Sequence, residues 1–545
     1  MLLQEGALME DKYVMILGAG LMQRPAMEAA KELGYRTLVV DANPGAACVS
    51  YADRFEPVDL KDKEGIASLA KSMGKSLCGI FTAGTDFSAS VSYAAEKCSL
   101  VSHSYKAACN ASNKILMREC FEKSGVPSPS FSKIHRSQIA SVLDPKILSS
   151  MEFPKVVKPS DNMGARGCRL VRRKEEFLFA VEDAVRNSRT GTAILEDYME
   201  GPEYSIDAVV YDGTVTITGF ADRHIFYEPY FIEMGHTMPS AADEKKRREL
   251  ILTFVRGIKA LGLTAGVAKA DIKYTAEGPM IGEIAARLSG GYMSGWTYPY
   301  ASGMNLTKQA LMISLGLEPE ELLKKRVKLD IEGAPCGIYE VPCSCTSAER
   351  AWISMPGTIK EIYGFEKCAL HPFIKNCMSR TKKGDRVDFP RNNVEKCGNV
   401  ISLSEDYALA VSNAEDAVSD VVLRLSTDNP ESEVFLMGVT KKSESRFPPD
   451  AFQIDAGTRK ELDSYLKDAG FISEGEKTSA KIPVCLEKIA DNVKDWNHRS
   501  IRKTLEQFDS ISPDHAAIDE KLFWNYLIRG GIQGILYVSD SSRKD

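Results

Sequence analysis

The chain has 545 residues, 44% of them hydrophobic and 26% charged, with a formal net charge of −6. That length exceeds what one hydrophobic core serves, so three or four domains are expected. A mixed, slightly acidic charge pattern argues against nucleic acid or a membrane surface as the main partner, and no apolar run is long enough to span a bilayer. The first twelve residues, MLLQEGALMEDK, carry no basic leader region and do not read as a signal peptide. The 13 cysteines are scattered and none falls in a C-x-x-C pair, which predicts reduced thiols and a cytoplasmic chain.

Residues 13–44 read as strand, glycine turn, helix, strand. Val14 to Leu17 are apolar, Ala26, Ala29, Ala30 and Leu33 recur at helical spacing, Gly34 stops the helix, and TLVVD follows. This is a βαβ unit. A helix at GIASLAKSMG, a strand at LCGIFTAGTD and a helix at FSASVSYAAEKC extend it, so residues 1–109 predict a small doubly wound, Rossmann-like α/β domain. GAGLMQ at 18–23, with Asp41 ending the second strand, invites a dinucleotide reading. Gln23 in place of the third glycine weakens it, and a tight turn without cofactor fits as well.

SNKILMRECFEKSGV predicts an amphipathic helix running from a Ser/Asn cap to near Gly125. VVKPSDNMGARGCRLV, residues 156–171, predicts two short strands around a loop that holds Gly164, Arg166 and Gly167. Such a loop lets backbone amides approach anionic oxygens; a plain hairpin with solvated cations is the alternative. A helix at EEFLFAVEDAVRNS precedes two antiparallel strands that turn at Asp212-Gly213. YFIEMGHTMPSA, residues 230–241, reads as too irregular for a regular element. A long helix and a second hairpin, turning near Glu277-Gly278, follow. Residues 331–428 are strand-rich and 429–545 helical, with Trp496 and Trp524 as core anchors.

Asp271 and Glu283 fall on the two strands of the second hairpin, placed to face each other. Two hard oxygen ligands on adjacent strands suit magnesium, which completes its shell with nucleotide phosphate. Lys269 and Arg287 flank them.

The order Lys114, Lys158, glycine loop, Glu196-x-x-x-x-Gly-Pro-Glu203, Asp271, Glu283, Arg287 resembles the ATP-grasp superfamily. Within it the chain is similar to carboxylate–amine ligases of the amino-acid ligase type. The resemblance covers roughly residues 13–425 and is strongest over 110–310. It implies a pre-ATP-grasp domain (1–109), an ATP-grasp domain (110–330) and a strand-rich C-terminal subdomain (331–428), and leaves unexplained the helical stretch that the sequence pattern sets apart as an accessory domain (429–545).

It also implies roles. Lys114 and Lys158 would hold the phosphates of ATP, and the loop with Gly164, Arg166 and Gly167 would close over them. Glu196 and the backbone of Asp197, Tyr198 and Met199 would take adenine, and Glu203 the ribose. Asp271 and Glu283 would bind Mg²⁺, with Lys269 and Arg287 neutralising charge on the transferring phosphoryl group. The family's usual Asn two residues after the second acid is Ala285 here. YF-x-E-x-GH-x-x-PS resembles a segment over the acceptor site, which assigns Glu233 and His236 to the amine substrate.

The implied activity forms an acyl phosphate from a small carboxylate, amino acids included, and couples it to an amine, releasing ADP and phosphate. The implied partners are these small molecules; the sequence leaves the oligomeric state open, with a homodimer through the tail, a substrate lid and a partner-docking domain as alternative uses of residues 429–545. Three rivals stay open. A biotin-carboxylase-like enzyme would carry a Glu–His pair after Arg287, where LSGGYMSG stands. A nicotinamide-linked oxidoreductase would use GAGLMQ. A non-catalytic ATP-binding regulator would fit Ala285.

Overall fold

The computed structural model describes residues 12–438 and 447–543. They fall into two units: the chain up to His224 with Gly235–Ser347, and Ile225–Met234 with the chain from Ala348 onward.

In the first unit, the apolar runs of the N-terminal region form β1 (Tyr13–Leu17), β2 (Arg36–Val40), β3 (Arg54–Glu56) and β4 (Leu77–Phe81). Their order is β3-β2-β1-β4, with β1 parallel to both neighbours. Val14 to Leu17 are fully buried, as expected of a central parallel strand covered on both faces. The glycine turn after β1 is filled from within. Gln23 is buried, accepts the Ala83 amide at 2.9 Å and donates to the Ala83 carbonyl. Asp41 accepts the amides of Ala19 at 2.8 Å and Asn43 at 2.9 Å. Asp41, the acid that a dinucleotide reading needs, and Gln23, which stands where its third glycine would be, are thus both spent on the domain's own backbone, as in a tight turn packed on itself.

Asn113 caps the helix Lys114–Ser124 through the amides of Ile115 and Leu116, and Gly125 ends it in the left-handed region at φ 63°. Strands β5 (Phe131–His135), β6 (Lys155–Pro159), β7 (Arg169–Val171) and β8 (Thr192–Asp197) form a second sheet, ordered β5-β8-β6-β7. The helix Lys174–Asn187 packs on it through Phe177 and Val181. β9 (Glu203–Tyr211) and β10 (Thr214–Phe226) turn at Asp212 and Gly213, both at positive φ (47° and 67°), as a two-residue hairpin with matching twist requires.

β11 (Ile232–Met238) lies where an irregular segment was expected. Every residue in it is buried, including Glu233, His236 and Thr237. With polar residues also facing inward, no hydrophobic alternation marks the strand. β12 (Gly266–Thr275) and β13 (Gly278–Ala285) form the second expected hairpin, and the first unit's main sheet runs β13-β12-β9-β10. The helix Glu244–Leu261 covers it, Phe254 and Ile258 packing with Ile206, Ile272 and Ile284.

His103 ties the N-terminal region to the start of β12. Its Nδ1 accepts the amides of Thr264 at 3.1 Å and Ala265 at 3.2 Å, and its Nε2 donates to the Val267 carbonyl at 3.0 Å. Both ring nitrogens are thus committed with the ring neutral, and burial pushes the pKa down to about 4. A base that folds neutral contributes its full stability above the unfolded value of 6.5 and loses it as pH falls toward 4. At pH 5 the unfolded state gains about 2 kcal/mol from the proton that the fold refuses. Urea unfolding at pH 7.5 and pH 5 is expected to show that much less acid sensitivity in His103→Gln than in the parent chain.

In the second unit one core joins the strand-rich region to the tail. Trp352, Phe389, Val400 and Leu423 pack in the same cluster as Phe452, Trp496, Phe508 and Trp524. Asn497 clamps both backbone groups of Ile353, at 2.9 and 3.0 Å, and Gln533 accepts the Met355 amide at 3.1 Å. The tail is therefore part of this core, with both tryptophans buried in it. Among the described residues no helix is long and apolar enough to cross a membrane.

Candidate active site

Lys114 and Arg118 stand one turn apart on the same face of their helix, and both are buried. Lys114 donates from Nζ to the Asn162 carbonyl at 2.8 Å and lies 3.5 Å from Glu283 Oε2. Arg118 donates from Nη2 to the Gly282 carbonyl at 2.6 Å and lies 2.8 Å from Glu196 Oε1. Lys158 Nζ, on β6, is 2.6 Å from the other oxygen, Glu196 Oε2.

Burial alone would raise the Glu196 pKa, but Arg118 and Lys158 outweigh it and hold the group below the ordinary carboxylate range. At 2% exposure, with each oxygen in an ion pair, its carboxylate braces β8 against the helix and β6. Arg118 escaped the sequence reading. Its spacing of four from Lys114 was the signal.

The loop between β6 and β7 is stapled at its base. Asp161 accepts from Ser188 Oγ at 2.8 Å and from the amides of Arg189 and Thr190, both at 2.9 Å. Gly164, Ala165 and Gly167 all take positive φ, and a Cβ on Gly167 would meet the Asn187 Cβ at 2.8 Å. Arg166 is exposed and donates to its own loop at the Met163 carbonyl, 3.2 Å away.

At the end of β8, Asp197 is exposed and paired with Lys155. The amides of Asp197 and Tyr198 are committed to the carbonyls of Ser130 (3.1 Å) and Pro154 (3.4 Å). The Met199 carbonyl accepts Lys273 Nζ at 3.1 Å, and that ammonium lies over the Tyr198 ring at 5.1 Å. Among these three backbone amides, only that of Met199 has no hydrogen-bond partner within the described residues.

The β9–β10 and β12–β9 registers set Glu203 beside Arg223 and Lys273. It forms an ion pair with Arg223 and stands 3.7 Å from Lys273. Arg223 also reaches Asp271, at 3.1 Å, and was another residue not singled out from the sequence.

Asp271 and Glu283 are direct cross-strand partners on β12 and β13. Lys269 pairs with Asp271, and Ser205 Oγ donates to it at 3.3 Å. Glu283 is held at a pKa of about 2: burial works against ionisation, and Lys114, Lys269, Lys158 and Arg287 overcome it. The pair fits a magnesium ion on donor chemistry, two facing hard-oxygen carboxylates with Glu283 firmly ionised. Among the described residues no third acid, His or Cys joins them in a metal-binding group, so phosphate and water would complete the shell.

Arg287 is buried and donates from Nη1 to the Leu288 carbonyl at 3.0 Å, while its buried Nε has no partner. Asp86, 7% exposed in the loop after β4, forms no hydrogen bond or ion pair among the described residues. Burial raises its pKa, and Arg287 and Lys114 pull it back. The two loops meet where Ala83 and Leu288 form a parallel bridge. Asp207 anchors the turn after Arg287 by accepting from the Ser289 hydroxyl and amide, and burial pushes its pKa up to about 6.

Glu233 and His236, the residues assigned to the amine substrate, both lie on β11. Residues three apart on an extended strand point to opposite faces, so β11 separates them. The Glu233 carbonyl accepts Lys396 Nζ at 2.6 Å, and its amide donates to Asn393 Oδ1 at 2.8 Å.

Residues 151–295 match the ATP-grasp domain family, and residues 351–426 match L-amino acid ligase C-terminal domain 2. Carnosine synthase 1 of Homo sapiens is 24% identical over 353 residues, 60% of this chain and 43% of that one. The match thus spans less than half of that relative's length. The C-terminal section of the carbamoyl phosphate synthase large chain of Methanocaldococcus jannaschii is 23% identical over 384 residues, 67% of this chain and 57% of that one. The crystal structure of L-amino acid ligase from Bacillus licheniformis shares the fold at a TM-score of 0.64 and 19% identity, over 76% of this chain and 99% of that one.

Proposed function

We propose that this chain, an ATP-grasp protein of the L-amino acid ligase type, uses ATP to join the carboxylate of an amino acid to an amine. The observation that carries the reading is the pairing of needs between Arg287 and Asp86. A buried guanidinium with an open Nε and a buried carboxylate without a partner share one charge cluster yet form no ion pair with each other. Leaving a buried polar group unmatched costs about 1–3 kcal/mol, and more for a charge. A zwitterion answers both at once, its carboxylate toward Arg287 and its ammonium toward Asp86.

The chemistry then runs in two displacements. A carboxylate oxygen attacks the terminal phosphorus of ATP, the bond to the bridging oxygen breaks, and ADP leaves with the electron pair. The amine nitrogen attacks the acyl carbon, the carbon–oxygen bond to phosphate breaks, and the amine gives up a proton. Lys114 and Lys158 oppose phosphate charge. Lys158 is already fixed by Glu196, so little reorganisation is needed as charge develops. Lys269 and Arg287 spread charge on the transferring group. Asp271 and Glu283 would hold magnesium, which screens the triphosphate when bound. The Met199 amide is the hinge donor for adenine, and Glu203 the ribose acceptor. The glycine loop keeps water from an acyl phosphate that hydrolyses readily.

The test is ADP release across pairs of amino acids and amines, with the spent nucleotide chromatographed. ADP and phosphate are the expected products. AMP as the main product would exclude the acyl-phosphate route, and equal turnover of carboxylic acids lacking an amino group would exclude the amino-acid donor.

Ala285 is two residues beyond Glu283 on the same face of β13 and pairs across to Lys269. Ala285→Asn brings an amide oxygen beside Glu283. It is expected to lower the magnesium concentration for half-maximal activity several-fold; an unmoved titration would show that position 285 does not address the metal.

A further inference from the structure

Two thiols in the second unit stand close together. Cys368 is on the short helix Phe365–Ala369, and Cys377 is on the strand Ile374–Ser379. Their sulfur atoms are 2.8 Å apart. A disulfide bond measures roughly 2.04 Å, so closing the pair needs a shift below one ångström. The helix and strand run back against each other around the turn His371–Ile374, which holds a backbone bond of 2.9 Å from the Ile374 amide to the His371 carbonyl. No metal-binding group of three His, Cys, Asp or Glu includes them among the described residues.

We propose that Cys368 and Cys377 are a redox modification site, converting to an intramolecular disulfide when the chain meets a small-molecule disulfide such as oxidised glutathione. This inference stands apart from the ligase reading.

Exposure orders the two steps. Cys368 is fully buried, whereas Cys377 is partly exposed. The thiolate of Cys377 attacks one sulfur of the oxidant, that S–S bond breaks, and a glutathione thiolate leaves. The Cys368 thiol then loses its proton and attacks the Cys377 sulfur of the mixed disulfide, releasing the second glutathione as thiolate. The protein gives up two electrons and two protons, and one disulfide becomes two thiols. The contact with Cys377 and then burial hold the Cys368 thiol above its ordinary pKa, which suits it to the resolving step rather than the first attack.

The experiment equilibrates the folded full-length chain in glutathione buffers from reduced to mostly oxidised, quenches in acid, alkylates under denaturing conditions and maps peptides by mass spectrometry. The expected result is a chain lighter by two hydrogens, with two fewer alkylatable thiols than the 13 of the reduced protein, and a cross-linked peptide pair containing 368 and 377. Cys377→Ser should abolish the change. Cys368→Ser should trap glutathione on Cys377, which keeps the test decisive if the other variant folds poorly. The proposal is overturned if both thiols stay alkylatable while more exposed cysteines have reacted, if the parent chain stops at a stable glutathione adduct on Cys377, or if the pair closes only after denaturation.

Discussion

Replacing Lys158 by alanine is expected to lower ADP release by about 10²–10³-fold, the usual loss when one donor to developing charge is removed, with the fold retained. Lys158 is 12% exposed at its side chain, and among the described residues its one ion-pair partner is Glu196 Oε2 at 2.6 Å. Removing the lysine leaves Glu196 still held by Arg118 at 2.8 Å, so no uncompensated buried charge remains and the unfolding midpoint should shift only modestly. The contrasting change is Arg118→Leu. It strips the fully buried end of the triad and frees the Gly282 carbonyl as well, so it should cost about 3 kcal/mol or more of stability. Denaturant unfolding and single-turnover ADP release, measured on both variants, separate a phosphate ligand from a brace. Normal ADP release in Lys158→Ala would remove the lysine from the phosphate site.

What was legible in the sequence was what short-range spacing determines. Asn113 and Gly125 bound a helix because capping is a matter of neighbouring residues. Asp212-Gly213 marks a turn because few residues accept positive φ twice in succession. Asp271 and Glu283 were paired correctly because a tight hairpin fixes register across a short turn. The missed features depend on partners far along the chain. Glu196 looked available because nothing near it in sequence shows that Arg118, 78 residues earlier, and Lys158 close on it from two sides. Gln23 looked like a defect in a dinucleotide motif, but its amide fits the backbone of Ala83. β11 was invisible because burial on both faces erases alternation. Asp86 carried no local signal at all, being one acid in a polar loop until the fold brings it to Arg287 and Lys114.

Asp86→Asn should show which substrate the site was built for. The carboxylate is buried without a partner, so replacing it with a neutral side chain of the same shape removes a desolvation penalty and should leave stability unchanged or slightly higher. Any loss of activity then comes from substrate recognition rather than unfolding. A site that pairs a substrate ammonium with a buried carboxylate gains a charge-assisted contact that a deaminated analogue cannot make. Sites that hydrogen-bond a substrate group reject analogues lacking it by about 10⁴–10⁵-fold when fully desolvated. The ratio of kcat/KM for an amino acid to that for its deaminated counterpart is expected to fall by about 10²–10³-fold in the variant, with the KM for ATP unchanged. The pH profile gives a second reading. Burial raises the Asp86 pKa above the ordinary 3.8, so ammonium recognition is present above that raised value and is lost as pH falls through it. The parent enzyme should therefore show an acidic limb in kcat/KM for the amino acid, and Asp86→Asn should flatten that limb. An unchanged substrate ratio, or an acidic limb that survives the substitution, would mean that the ammonium is bound elsewhere.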